Sequence, residues 1–299
     1  MSLRRPLWQR ALAVVAAVVL ALWVGAGVWV KLHEPDLVFL AQRSKTREVG
    51  ALPEGAQRVS VPSRSGMQLA GITLAAAPAR DSGYWVLHLH GNSVSAFSVW
   101  ELRHLQQLSA WGVSVLALDY RGFGQSPGEA SEQNLLDDSQ DAWAYLRDRG
   151  VPANRIIIWG HSLGSGPATW LATQQSDAAA LVVFGGFTSV PDAGSDDFPW
   201  LPVHTLATIQ LNSRERLPQV KVPVVIAHSP SDRRIRYRHG QQLFAAANAP
   251  KRFLSVVPTR NDKLGGHVDA LYDNLTLLEQ PLRELLGVSV TQAVVAATP

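Results

Sequence analysis

Apolar and polar positions are arranged along this chain in two regimes. Ala11 to Val30 is an unbroken run of twenty apolar or small residues. From about residue 57 onward the pattern changes to short β-branched blocks that alternate with segments of 3.6-residue period. The strand-like blocks fall at 84–89, 113–118, 155–159, 179–184, 222–227 and 251–257. Helical periodicity covers 95–110, 131–149, 164–175, 239–247 and 268–285. The segment 131–149 shows the period well, with Leu135, Leu136, Ala142, Trp143 and Leu146 on one face. Asp137, Asp138, Asp141 and Arg147 are expected on the solvated side of that helix. Ahead of these elements, 57–61 and 67–75 read as a hairpin around Ser63-Arg64-Ser65-Gly66. Strand blocks that are apolar throughout are buried on both faces. Their alternation with helices predicts an α/β fold, a mostly parallel sheet with helices on both sides. Ligands bind such sheets at the carboxyl ends of the strands.

One of those ends carries Gly160-His161-Ser162-Leu163-Gly164, a G-x-S-x-G stretch between the strand block Arg155 to Trp159 and the helical segment that follows. Strand, sharp turn and helix with serine at the apex is the context of a nucleophile elbow. A serine hydroxyl needs a base to take its proton, usually a histidine oriented by a carboxylate. On an elbow of this kind the partners follow in the order serine, acid, histidine. Asp232 falls on the turn after the strand block Val222 to Ala227, and His267 in the Gly-flanked loop before the last helix, so Ser162, Asp232 and His267 stand in that order. Of the other histidines, His33, His104, His204 and His239 read as surface or packing residues. His228 ends the strand leading to Asp232 and reads as a support for the site. Asp262 is a weaker rival to Asp232, and Asp269 reads as the N-terminal charge of the last helix. The oxyanion of an acyl-transfer reaction needs aimed N–H donors. The N–H groups of Leu163, next after the serine, and of Asn92, on the loop after the strand 84–89, are the expected pair.

The stretches LHLHGN (87–92), LDYRGFGQSPG (118–128), GHSLGSGPA (160–168), AHSPSD (227–232) and GGHVD (265–269) together resemble the α/β-hydrolase superfamily. More narrowly they resemble its lid-less, membrane-anchored serine hydrolases, the depalmitoylase-like and lysophospholipase-like α/β-hydrolase domain proteins. The likeness covers roughly 57–286. It implies the α/β-hydrolase fold, a Ser-Asp-His triad and hydrolysis of carboxylic esters or thioesters through an acyl-enzyme. Arg121, in the second stretch, reads as a charge that ties its loop rather than as a substrate ligand. The chain departs from the family pattern at His228-Ser229, at Ile235-Arg236 and in the charged run Pro258 to Leu264.

The apolar run at 11–30 is long enough, at 1.5 Å per residue, to span a bilayer core of about 30 Å. Arg4, Arg5 and Arg10 precede it, Lys31 follows it, and Trp8, Trp23 and Trp29 lie toward its ends. It reads as one uncleaved transmembrane helix, with a cleaved signal peptide as the rival. The basic flank predicts a cytoplasmic N-terminus (1–10) and a catalytic domain on the periplasmic side. The remaining organisation is a juxtamembrane linker at 31–56, the hydrolase domain at 57–286 and a tail at 287–299. Phe187, Phe198, Trp200 and Leu201 lie in the one long excursion, 185–221, either lining an acyl pocket or packing on the core.

Composition narrows the chemistry. With 299 residues, 46% of them apolar, the chain can bury one sizeable core. The net charge of +3 is scattered, with no basic patch that fits nucleic acid. The absence of cysteine excludes disulfides and a thiolate nucleophile. No metal-binding spacing and no G-x-G-x-x-G after a strand occur, so neither a metal nor another cofactor is expected. The expected partners are a lipid-like ester or thioester and the membrane. The alternatives are a non-catalytic, membrane-tethered binding protein on a hydrolase fold, or a peptidase of the same superfamily.

Overall fold

The β-branched blocks become strands whose side chains alternate between two cores. The computed structural model describes residues 6–258 and 266–287. Asp262 and most of the charged run before His267 lie outside that range, as do Arg4, Arg5 and the tail beyond residue 287. Among the described residues eight strands form one sheet: β1 (Ala56–Pro62), β2 (Gln68–Leu74), β3 (Tyr84–Leu89), β4 (Val113–Leu118), β5 (Ile156–His161), β6 (Ala180–Phe184), β7 (Val224–His228) and β8 (Lys251–Ser255). Their spatial order is β1-β2-β4-β3-β5-β6-β7-β8. The hairpin strand β2 runs antiparallel to β1 and β4, and every pair from β4 through β8 is parallel.

Eleven helices accompany the sheet among the described residues. The N-terminal set is α1 (Leu7–Leu32), α2 (Glu34–Val38) and α3 (Ala41–Lys45), and within the α/β region come α4 (Val99–Ala110), α5 (Glu132–Asp148) and α6 (Ser165–Gln174). The excursion after β6 holds α7 (Val190–Asp197), α8 (Val203–Leu206) and α9 (Ser213–Arg216), and α10 (Tyr237–Ala246) and α11 (Asp269–Leu285) follow.

The two cores follow from period-two geometry. On β5, Ile156 and Ile158 face one core, which Leu135 and Leu146 of α5, Leu171 of α6 and Leu243 of α10 complete. Ile157 and Trp159 face the other, shared with Leu102, Leu105 and Leu108 of α4 and Leu278 and Leu282 of α11. Each such side chain, fully buried, contributes about 1.5–3 kcal/mol relative to exposure. Local signals place the helix starts: Asn134 N–H donates to Ser131 Oγ at the head of α5, and Asp192 N–H to Ser189 Oγ at the head of α7.

The structure corrects one expectation about α5. Asp138 and Asp141 are buried rather than solvated. Each is paired by a residue from a distant loop: Arg121 Nε donates to Asp138 Oδ1 at 2.6 Å, and Arg64 Nε to Asp141 Oδ1 at 2.9 Å. Burial pushes the Asp138 carboxyl up to about 6, against the opposing pull of Arg121. Arg121 N–H also donates to Asp138 Oδ2, so the pair pins the loop after β4.

Strand order fixes where a crevice opens. The chain passes from β3 to β4 on one side and then to β5 on the other, so β3 and β5 flank the point where the winding reverses. Such a reversal leaves an opening at the carboxyl ends of the two strands. Asn92 follows β3, and Ser162 follows β5.

Candidate active site

The elbow is built by close approach. β5 runs directly into a single turn of 3-10 helix, Ser162–Gly164, and then into α6. A Cβ on Gly160 would lie 2.5 Å from the Gly164 carbonyl oxygen, and one on Gly164 would lie 2.0 Å from the Leu89 carbonyl oxygen. Only hydrogen fits at either position, and that is what lets α6 turn back so tightly over β3 and β5. Ser162 itself sits at φ 50°, a left-handed conformation that a serine adopts at a cost of order 1–3 kcal/mol. The strain stands the side chain at the apex of the turn, half-buried at the mouth of the crevice.

His267 and Asp232 arrive from two other loops. His267 Nε2 lies 2.9 Å from Ser162 Oγ, and His267 Nδ1 lies 2.7 Å from Asp232 Oδ2. An ionised carboxylate only accepts, so Nδ1 carries the proton and Nε2 is left as the acceptor facing the serine. Asp232 is held rigidly. Its other oxygen accepts from the N–H groups of Arg234 at 2.8 Å and Ile235 at 2.9 Å. Burial by itself would raise the Asp232 carboxyl. Hydrogen bonds from His228, His267 and Ile235 outweigh that and hold it well below the usual carboxylate range. His228 Nε2 donates to the Ile235 carbonyl at 2.8 Å and lies 3.4 Å from Asp232 Oδ2, so it braces the turn.

Two features that pattern reading passed over shape the surroundings. Asp119, fully buried at the end of β4, accepts from Ser95 Oγ, Ala96 N–H and Gln125 N–H, tying the loop after β3 to the loop after β4. Its signal was its place in LDYRGFG, a buried charge at a strand end. Beneath the elbow, His88 Nε2 lies 2.8 Å from Glu101 Oε2, and His104 packs on the rings of His88 and Trp159. All are buried, and nothing in a single helix period announces such a cluster. Burial would raise the Glu101 carboxyl, but the neighbouring imidazoles bring it down to about 2. Burial, with His267 nearby, brings the His161 imidazole down to about 3. His161 therefore stays neutral beside His267, with ring centroids 5.7 Å apart.

Asn92 and Leu163 both line the cavity in front of Ser162. The Asn92 side chain is committed elsewhere: Oδ1 accepts from Leu40 N–H at 2.8 Å, and Nδ2 donates to the Val38 carbonyl at 2.6 Å. The stretch expected as a linker is thereby sewn to the domain, with Phe39 and Ala41 buried in the core. Of the remaining histidines, His239 is buried against Thr188 and Asp196, His204 is exposed beside Asp192, and His33 stacks on Trp29. None of these three approaches Ser162. Asp269 opens α11, with its side chain outside the described residues. Among the described residues no cluster of His, Cys, Asp and Glu suits a metal ion.

The cavity has a volume of about 150 Å³. Phe187, Val190, Phe198 and Val203 form one wall, and Val30, Leu37 and Val38 from the N-terminal region form another. Phe187 and Phe198 thus line the cavity. Trp200 is 55% exposed, and Leu201 is buried beside α8.

A parallel sheet with this strand order, a serine elbow and an imidazole and carboxylate at the ends of later strands define an α/β hydrolase. The family model described as serine aminopeptidase S33 matches residues 85–213. The uncharacterized protein Rv2307c of Mycobacterium tuberculosis is 33% identical over 293 residues, covering 97% of this chain and 99% of that one. The lysophosphatidylserine lipase ABHD12 of Macaca fascicularis is 28% identical over 225 residues, which are 68% of this chain and 56% of that longer protein. Among solved structures, the Pyrococcus furiosus esterase Pf2001 superposes with a TM-score of 0.65 at 18% identity, covering 82% of this chain and 98% of its own. The chain belongs to the α/β-hydrolase superfamily.

Proposed function

We propose that the protein is a serine hydrolase that cleaves carboxylic esters or thioesters through an acyl-enzyme, acting on lipid-like substrates at a membrane. One observation carries the reading: a single imidazole bridges Ser162 Oγ at 2.9 Å and Asp232 Oδ2 at 2.7 Å. In this reading His267 takes the proton of Ser162 as Oγ attacks the acyl carbon. The oxyanion is met by the N–H groups of Leu163 and Asn92, and the protonated His267 gives its proton to the leaving group. Water, deprotonated by His267, then releases the acyl group. Asp232 keeps the imidazole oriented and stabilises its charged form.

The lipid-like substrate is supported by the apolar walls of the cavity and by α1. This helix of 26 residues contains an 18-residue stretch with a mean hydropathy of 2.5 that is almost wholly unburied. It is long and apolar enough to cross a membrane, and we read it as an anchor that holds the domain at the periplasmic face. A peptidase reading draws on the matched family model. An aminopeptidase needs a free carboxylate for the substrate ammonium, but among the described residues the two carboxylates lining the cavity are engaged. Glu34 accepts from Thr208 and Ile209, and Asp197 pairs with Arg234 at 2.9 Å. The test is a panel of p-nitrophenyl esters, lysophospholipids, acyl thioesters and aminoacyl p-nitroanilides. Turnover of the acyl compounds is expected. Turnover of the anilides alone would establish the peptidase, and turnover of none, with no fluorophosphonate labelling, a non-catalytic protein.

A further inference from the structure

Three contacts clip the N-terminal helices to the excursion after β6. Trp23 Nε1 donates to the Trp200 carbonyl at 2.9 Å, Lys31 Nζ to the Leu206 carbonyl at 2.6 Å, and the buried Glu34 carboxylate accepts from the N–H groups of Thr208 and Ile209. The first contact falls inside the apolar run. Trp23 lies seven residues before Val30, which at 1.5 Å per residue is about 10 Å below the end of the span. Whatever bilayer surrounds α1 at that depth must also surround Trp200.

The segment at 198–207, Phe-Pro-Trp-Leu-Pro-Val-His-Thr-Leu-Ala, is suited to that position. It contains no Asp, Glu, Lys or Arg. Non-helical backbone is tolerated at membrane depth only where its polar groups are satisfied. Pro199 and Pro202 have no N–H to satisfy. The N–H groups of Leu201, Val203, Thr205 and Leu206 donate within the segment, and the carbonyls of Trp200 and Leu206 accept from α1. Trp200 presents an exposed indole, an amphipathic ring favoured near the membrane boundary.

Between α1 and this segment runs an apolar groove of about 280 Å³, lined by Trp23, Val24, Gly27, Leu201, Pro202 and Leu206. Lys31 and Leu206 line both this groove and the cavity before Ser162, so the two adjoin. Gly27 lines the groove where a Cβ would make ordinary contact with Leu206 Cδ1 at 3.7 Å, so only a side chain larger than alanine would fill the space between them. We propose that residues 198–207 insert into the bilayer beside α1, and that the groove between them admits the acyl chain of a bilayer-resident lipid ester to Ser162. This rests on reading α1 as an anchor and Ser162 as a nucleophile. It adds a second inserted element and a lateral entry route, so that the substrate need not leave the membrane. Lys31, at the junction of groove and cavity, sets the level at which the polar part of the lipid lies.

The 299-residue chain has no cysteine, so single labels can be placed freely. Trp200→Cys, Val15→Cys and Asp177→Cys, each carrying an environment-sensitive fluorophore, are reconstituted into phosphatidylcholine vesicles. These contain lipids with a nitroxide either on the headgroup or on the acyl chain. Labels at 200 and 15 are expected to be quenched several-fold more by the acyl-chain nitroxide than the label at 177. Quenching at 15 without quenching at 200 would overturn the inserted segment while leaving the anchor standing. Loss of quenching at both would remove the anchor as well. For the groove, Gly27→Leu is expected to lower hydrolysis of a vesicle-borne long-chain lysophospholipid, relative to a water-soluble short-chain ester, at least about tenfold. An unchanged ratio would overturn the entry route. Absence of hydrolysis of both esters by the unmutated protein would instead refute the hydrolase reading, which the quenching result does not depend on.

Discussion

Replacing Gly164 by alanine tests whether the elbow is held by steric closeness. The added Cβ would lie 2.0 Å from the Leu89 carbonyl oxygen and 2.7 Å from that of His90. A carbon–oxygen contact normally needs about 3.3 Å, so the turn must retreat from the end of β3 by about 1 Å. Neither partner is a side chain that can swing away. Both belong to the backbone that leads to Gly91 and Asn92. Overpacking costs about 1–3 kcal/mol, and with rigid backbone on both sides the upper end applies. At about 2–4 °C per kcal/mol for a domain of this size, the midpoint of thermal unfolding should fall by about 6–12 °C. A displacement of about 1 Å between the serine and its partners should also lower the rate about a hundredfold. The assay is a melt of the full chain in detergent, paired with initial rates on a short-chain p-nitrophenyl ester. Gly25→Ala is the control, because a Cβ there meets no heavy atom within 4 Å. A Gly164→Ala protein that melts and turns over like the Gly25→Ala protein would refute the steric account of the elbow.

Arg121→Ala should destabilise the fold by about 3–5 kcal/mol, because it leaves the buried Asp138 charge without its partner. Asp138→Asn in the same chain should recover part of that loss, and a purely additive double mutant in denaturant titrations would contradict the pairing. Asp232→Asn should lower kcat on a short-chain ester by about ten thousandfold, because an amide offering its NH2 to Nδ1 selects the wrong tautomer of His267. A rate within about tenfold of the unmutated protein would contradict the orienting role. Because the folded Asp232 carboxyl is depressed, the stability it contributes is complete above the unfolded value of about 3.9 and is lost as pH falls through the folded value. The difference in melting temperature between the unmutated protein and Asp232→Asn should therefore hold steady above about pH 5 and shrink only below about pH 4. Shrinkage between about pH 5 and 8 would place the titration elsewhere.

The sheet was readable because each strand from β3 to β7 is an apolar block of local sequence, and local blocks need no knowledge of partners. The elbow was readable for the same reason: strand, turn and helix lie in one continuous stretch from Ile156 to Gln174. Asp232 and His267 could be singled out as candidates because each follows a strand block in the expected order, although their separation of 35 residues says nothing of distance. What the pattern did not disclose depends on partners far away in the chain. Asp138 and Asp141 look like solvated charges until Arg121 and Arg64 arrive from other loops. Glu34 looks like a linker residue until the backbone at 208 and 209 binds it. Val30, Leu37 and Val38 are apolar, a property that serves a membrane, a core or a cavity wall equally, and only the fold shows that they face Ser162. The histidine and glutamate cluster under the elbow is hidden likewise, because its members come from β3, α4 and β5.

If Ser162 is the nucleophile and His267 activates it, a serine-directed phosphonylating agent must react at that one hydroxyl. The most direct measurement is the site and stoichiometry of covalent modification by a fluorophosphonate, read by mass spectrometry of the intact chain and of its peptides. One adduct per chain is expected, on Ser162, absent from Ser162→Ala and strongly slowed in His267→Ala. An adduct on another residue, or undiminished labelling of Ser162→Ala, would contradict it.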